Sequence, residues 1–153
     1  HDDSIVITLA VANFEVNRVL VDDDNSIDIL YYNVFEKMKL GYDRLKPTDS
    51  PFYGFSGEPI CMEGAIKLPV TAGTSPHQSI IMVKFLVVKL PSAYNVILGR
   101  PSLNTLGVVV SIPHLKMKFP TTSGIAEVRV DQKTSRQCYL TTLKPKYQSE
   151  LSN

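Results

Sequence analysis

The sequence predicts a mainly β protein, a barrel or sandwich with one or two short helices. Many short apolar runs follow one another at close spacing, and turn-forming residues separate them, as is typical of such folds. Helical spacing of apolar residues is confined to a small part of the chain. With 153 residues, the chain is long enough for one domain with a sizeable core.

The first two strands are predicted at 5–11 and 14–21, with a tight turn at Ala12 and Asn13. Aromatic residues alternate with glycines at 51–58, which is typical of a hairpin tip or a mobile lid. Pro101 predicts the start of a short helical turn at 102–106. Further strands are predicted at 60–72, 80–90, 93–98, 108–112, 115–119 and 125–130.

A single amphipathic helix is predicted directly after the acidic run Asp22-Asp23-Asp24. We expect its N-cap at Asn25 or Ser26, its end at Gly41, and a length of about three turns. On this prediction the three acids lie in a strand-to-helix connection. The apolar residues that recur at three- and four-residue spacing are Ile27, Leu30, Tyr31, Val34, Phe35 and Met38.

Composition excludes several classes of partner. The net charge is +1 with acids and bases mixed along the chain, which does not favour a nucleic acid or an acidic membrane surface. The longest apolar stretches, 83–90 and 108–112, are too short to span a bilayer. Cys61 and Cys138 lack metal-ligand spacing; two thiols fit a reducing compartment, and a disulfide between them stays open. No cofactor or metal is expected.

The acidic run is the strongest candidate for chemistry. Adjacent like charges repel, so stability gives no reason to place three carboxylates at the end of an apolar strand. A calcium loop would use Asp22, Asp24, Ser26 and Asp28, but Ile27 then occupies the glycine position and Asn33 the glutamate position. The metal reading is therefore remote.

Serine hydrolase chemistry is not favoured either. The segment Gly54-Phe55-Ser56-Gly57 is followed by Glu58, where a nucleophile elbow needs glycine. The histidines at 1, 77 and 114 have no catalytic motif around them. We expect His114, which follows Pro113, to lie at a turn or a strand edge.

Three motifs in order resemble the retropepsin-like aspartic proteases, specifically those of plant retrotransposons of the Ty3/gypsy type. They are Leu20-Val21-Asp22, the glycine-rich aromatic hairpin, and Ile97-Leu98-Gly99 followed by Arg100-Pro101. The resemblance extends from Ser4 to about Lys144. Other stretches that look like this group are 28–30, 68–73, 91–95 and 115–121.

The resemblance implies a closed acid-protease barrel at 1–143 with a C-terminal tail at 144–153. It also implies a homodimer, because peptide hydrolysis needs two aspartates and the chain supplies one matching residue, Asp22. The segment Gly54-Phe55-Ser56-Gly57 would be the flap over a polypeptide substrate, and Ile97, Leu98 and Gly99 would pack beneath the catalytic turn. A cytoplasmic retroelement particle is the implied location.

The catalytic turn departs from the family pattern of Asp-x-Gly followed by a small residue. Asp24 stands at the glycine position, with Asn25 and Ser26 after it. In a dimer, Asp22, Asp23 and Asp24 would place six carboxylates near one centre. Two readings therefore stand beside the remote metal site: a homodimeric, acid-favoured endopeptidase that processes a retroelement polyprotein, or a domain that has lost catalysis and serves dimerisation or peptide binding.

Overall fold

The structure, a computed structural model, describes residues 5–48, 62–111 and 116–131. Six strands of this part form a closed barrel, in the order β1-β2-β6-β3-β5-β4. Their bounds are β1 Ile5–Val11, β2 Phe14–Val21, β3 Asp28–Tyr31, β4 Met62–Thr74, β5 His77–Val88 and β6 Val96–Leu98. The expected mainly β closed barrel is confirmed.

A three-stranded sheet of order β7-β8-β9 accompanies the barrel. Its strands are β7 Val109–Ser111, β8 Lys116–Thr121 and β9 Gly124–Arg129. The two α-helices of the described part are α1 Tyr32–Met38 and α2 Arg100–Leu106, and a 3₁₀ turn follows α1 at Tyr42–Arg44. None of the helices in these ranges is long and apolar enough to cross a membrane.

The main core fills the barrel and continues under α1 and the small sheet. Strand alternation explains how β3 and β6 contribute to two cores. Leu30 and Leu98 face the main core, whereas their neighbours Ile29 and Ile97 face the other side and pack there with Val88. This small apolar cluster lies beside Leu20, two residues before the acidic run.

The prediction of one helix directly after the acids is wrong. Residues 28–31 form strand β3, and the helix begins only at Tyr32, with Tyr31 rather than Asn25 or Ser26 at its N-cap. Its C-cap is Lys39 in the left-handed conformation, so Gly41 does not end it. The acids therefore lie between two strands.

The physical reason is that β3 is paired on both sides. Leu30 is aligned with Val87 of β5 in a parallel ladder and with Val96 of β6 in an antiparallel one. A central strand is apolar on both faces, so its sequence also fits helical spacing over one turn. Pairing within the barrel then decides the conformation.

The strands predicted at 5–11 and 14–21 and the helical turn after residue 100 are confirmed, the remaining strands with small shifts in their ends. The observed strand β6 is shorter than the strand predicted at 93–98, because it begins only at Val96. Several predictions lie outside the described residues: the lid at 51–58, the two cysteines, His114 and the tail at 144–153.

Candidate active site

The first residue of the acidic run is fixed by the barrel. Strand β2 runs parallel to β6, with Val21 aligned with Leu98. The next amide, that of Asp22, donates a hydrogen bond to the Leu98 carbonyl at 2.9 Å. Asp22 is half-buried, whereas Asp23 and Asp24 are exposed. The three acids are therefore in different environments, and Asp22 alone is held by the sheet.

Asn95 sets the register between β2 and β6. Its side chain is fully buried and its Nδ2 donates to the Asn17 carbonyl at 2.7 Å, while its backbone N–H donates to the Arg18 carbonyl at 2.9 Å. These carbonyls belong to an irregularity of β2, where Arg18 has φ +54°. Such a bulge frees backbone groups from the ladder. Asn95 donates hydrogen bonds to the carbonyls of Asn17 and Arg18 and thereby fixes the start of β6. Leu98, three residues later, then lies beside Asp22.

The acidic turn, residues 22–27, is closed by hydrogen bonds between its own residues. The Asp24 N–H donates to Asp22 Oδ1 at 3.1 Å, and the Asn25 N–H donates to the Asp22 carbonyl at 3.2 Å. Asn25 Oδ1 accepts from the Ile27 N–H at 3.2 Å. The described non-glycine residues with positive φ are Ala12, Arg18 and Lys39. Asp24 is not among them, so its backbone does not require glycine.

Gly99 lies directly against the acidic turn. A Cβ on Gly99 would lie 2.6 Å from the Asn25 carbonyl oxygen and would also collide with the carbonyl oxygen of Ile27. Its φ is −95°, so close approach rather than conformation requires glycine here. The following residue, Arg100, donates its N–H to the Asn25 carbonyl at 2.8 Å and its Nη1 to the Asp23 carbonyl at 3.3 Å.

Asp28 is a site residue that the sequence did not identify as such. Only 4% of it is exposed, and its Oδ1 accepts a hydrogen bond from the Gly99 N–H at 2.7 Å. Burial raises the pKa of its carboxyl, and the Gly99 hydrogen bond partly offsets this rise. Ser102 also lowers the pKa, although its Oγ makes no hydrogen bond of good geometry. The available signal was an aspartate inside an apolar run, between Ile27 and Ile29.

The position of Asp28 argues against the calcium frame. Ligand oxygens of Asp22, Asp23 and Asp24 all lie within 4.8 Å of one another. Asp28, which the frame also needs, is instead buried and bonded to Gly99. Together with exposed Ser26 it lines a cavity of about 320 Å³ between β5 and α2.

The structure brings together two of the three predicted motifs. Ile97 is aligned with Leu20 of β2, and the Leu98 carbonyl accepts a hydrogen bond from the Asp22 N–H. Gly99 packs against the carbonyl oxygens of Asn25 and Ile27, and its N–H donates to the side chain of Asp28. The third motif, the predicted flap at Gly54, Phe55, Ser56 and Gly57, lies outside the described residues. Its relation to Asp22 stays a prediction.

Solved structures with the same fold are found among retroviral protease-like domains. The retroviral protease-like domain of Ddi1 from Leishmania major is 15% identical, with a TM-score of 0.62, covering 84% of this chain and 93% of that one. The EIAV protease, solved in complex with the inhibitor HBY-793, is 20% identical, with a TM-score of 0.52, covering 72% and 95%. The sequence matches no protein-family model and no curated protein sequence. At these identities the likeness establishes the fold: this chain has a retropepsin-like fold.

Proposed function

We propose that this chain is an aspartic endopeptidase that acts as a homodimer. The observation that carries the proposal is Asp22, a half-buried aspartate at the end of a barrel strand in a retropepsin-like fold. Its backbone is fixed by Leu98, and its Oδ1 accepts from the Asp24 N–H. This arrangement is suited to hold one carboxylate of an aspartic dyad.

Hydrolysis needs two carboxylates about 3 Å apart that share one proton. Two copies of Asp22, related by a two-fold axis, would supply them. The unprotonated carboxylate takes a proton from water, and the resulting nucleophile adds to the peptide carbonyl. The protonated carboxyl gives its proton to the carbonyl oxygen, so that a tetrahedral diol forms. The carboxyl that took the proton from water then passes it to the nitrogen as the C–N bond breaks, and the other carboxylate takes a proton from the diol, which restores one shared proton. No metal or cofactor takes part in this sequence of steps.

The small apolar cluster of Ile29, Val88 and Ile97, with its neighbours, is an argument for a peptide as the substrate. It lies on the face of β3 and β6 away from the barrel core, beside Leu20. The three members are buried, so the partly buried side chains packed against them, such as Leu20 and Ile27, would contact substrate side chains on either side of the scissile bond. The flap predicted at 54–57 would cover the same peptide. By the resemblance, that substrate is a polyprotein of a plant Ty3/gypsy-type retroelement, cleaved in a cytoplasmic particle.

The alternative is a catalytically impaired domain that serves dimerisation or peptide binding. The exposed carboxylate of Asp24 favours it, since its oxygen lies within 4.8 Å of those of Asp22 and Asp23. A dimer would double this charge at one centre, and the repulsion opposes both association and the approach of two Asp22 side chains.

One experiment separates the two. Wild type and Asp22→Asn are incubated with a mixed peptide library at about pH 5, where a proton-sharing dyad is active, and products are read by mass spectrometry. The endopeptidase predicts cleavage by wild type that pepstatin blocks and that Asp22→Asn lacks. An inert wild type that nevertheless sediments as a dimer supports the impaired domain. Equal cleavage by both proteins contradicts the assignment of Asp22.

A further inference from the structure

Leu98, Gly99 and Arg100 each make a hydrogen bond to the acidic turn or to the start of β3, which follows it. The Leu98 carbonyl accepts from the Asp22 N–H, the Gly99 N–H donates to Asp28 Oδ1, and the Arg100 N–H donates to the Asn25 carbonyl. Two of these links join backbone to backbone. The Gly99 link uses the side chain of Asp28, so a substitution can remove it. The Arg100 guanidinium adds a second side-chain link, an exposed and longer one to the Asp23 carbonyl at 3.3 Å.

The Gly99 link is also the most buried. Asp28 and Ser102 are buried polar side chains of this region, and Asp28 accepts the hydrogen bond from the Gly99 nitrogen at 2.7 Å. A carboxylate acceptor in a dry environment makes a stronger hydrogen bond than a neutral one. Losing the acceptor would leave the Gly99 N–H buried without a partner.

Close packing gives this link its effect on the turn. Gly99 lies so near the carbonyls of Asn25 and Ile27 that a Cβ would not fit. A shift of Gly99 must therefore displace the segment 25–27 or open a gap beside it. Segment 25–27 connects directly to Asp24, whose N–H donates to the Asp22 carboxylate.

We propose that Asp28 is a positioning residue: its carboxylate holds Gly99 against the acidic turn and thereby orients the side chain of Asp22. The catalytic consequence rests on the proposed function, whereas the structural coupling does not. One readout must therefore report the structure around Asp22 without any activity, and a second readout is peptide cleavage.

The test compares Asp28→Asn, which keeps an acceptor oxygen at nearly the same place, with Asp28→Leu, which removes it. Val34→Ala is the matched control, because it destabilises a buried site on α1. Amide resonances of Gly99 and Asp24 are followed by NMR, with hydrogen exchange measured at Gly99. Should Asp28→Leu fail to fold, Asp28→Ser takes its place, since its hydroxyl is one bond too short for the acceptor position.

We expect exchange at Gly99 to be at least about 10-fold faster in Asp28→Leu, with a displaced Asp24 amide resonance. Asp28→Asn and Val34→Ala should leave both near the wild-type values. In cleavage assays Asp28→Leu should lower kcat about 10- to 100-fold with KM within about twofold, as misplacement of a reacting group does. An unmoved Asp24 resonance in Asp28→Leu, or an equal shift in Val34→Ala, overturns the proposal. If wild type is inactive, the proposed function is wrong and cleavage cannot be compared. The NMR comparison still tests whether Asp28 positions the acidic turn.

Discussion

The Asp22 N–H donates to the Leu98 carbonyl at 2.9 Å, one residue beyond the point where β2 and β6 are aligned at Val21 and Leu98. The parallel ladder therefore ends on the first acidic residue and leaves Asp23 and Asp24 outside it. Asp22 therefore differs from Asp23 and Asp24 because of its position in the sheet, although all three are the same residue type.

Replacing Asp24 by glycine should raise peptide cleavage, by about 10-fold or more in kcat/KM, or create it if wild type is inert. The reason is charge and bulk, since the Asp24 backbone has no positive φ that favours glycine. Asp24→Asn keeps the bulk and removes the charge, so it should recover a large part of the gain. Cleavage is measured on the same peptide library at about pH 5.

Asp23→Asn is the matched control, because it removes one exposed carboxylate from the same run while leaving position 24 intact. Its gain should be smaller than that of Asp24→Asn. If glycine restores activity and asparagine does not, bulk or backbone freedom at position 24 limits catalysis, and the electrostatic explanation is wrong.

Self-association of wild type should strengthen as salt is added. In the proposed dimer the run Asp22-Asp23-Asp24 would meet its copy, and repulsion between exposed carboxylates is screened within about 10 Å at 0.1 M salt and about 3 Å at 1 M. Sedimentation equilibrium at about 0.05, 0.2 and 1 M NaCl measures the dimer dissociation constant. We expect it to fall several-fold over this range at pH 7.

The double variant Asp23→Asn/Asp24→Asn provides the comparison for this salt effect. Its dimer should be tighter at low salt and less dependent on salt. A monomer at every concentration and every salt level would exclude the homodimer. A salt dependence shared equally by wild type and double variant would place the repulsive charges elsewhere.

Gly99→Ala should destabilise the fold by about 1–3 kcal/mol, as overpacking does. The new methyl group would meet the backbone carbonyls of Asn25 and Ile27, which cannot rotate away as a flexible side chain would. Urea unfolding followed by circular dichroism measures the loss. Asn104→Ala, an exposed change on the neighbouring helix α2, should stay within about 0.5 kcal/mol of wild type. Equal stability of both variants would show that the turn yields to accommodate the methyl group.

The sequence predicted the barrel well because its strand signals are local. Alternation at 5–11 and 14–21 and the Pro101 helix start each depend on neighbouring residues, and each is confirmed. The segment 28–31 depends instead on β5 and β6, which are far away in the chain. Helical spacing there is a by-product of burial on both faces, and no local signal separates the two conformations.

In the candidate site, too, some residues could be predicted from the sequence and one could not. Asp22 and the motif at 97–99 are recognisable from residue types in order, and the structure brings them into hydrogen-bond contact. Asp28 was not predicted as a site residue, because its role depends on a hydrogen bond from Gly99, which lies 71 residues further along the chain. In the sequence it reads only as one acid near others, and as part of a calcium frame that the fold separates.

The buried Asp28 carboxyl should make stability depend on pH. Burial raises its pKa above the ordinary value of 3.8, so the folded state holds the proton more tightly than the unfolded state does. This contribution is complete below about pH 3.8 and is lost as pH rises through the raised pKa. Asp28→Asn does not titrate. Its stability relative to wild type should therefore increase from pH 3 toward pH 7, as measured by urea unfolding at matched ionic strength.

The sign of this trend separates burial from hydrogen bonding as the dominant influence on Asp28. If the Gly99 N–H outweighed burial, the pKa would be lowered and Asp28→Asn would lose relative stability as pH rises. Leu68→Ala, a fully buried apolar change, should show a difference from wild type that is constant with pH.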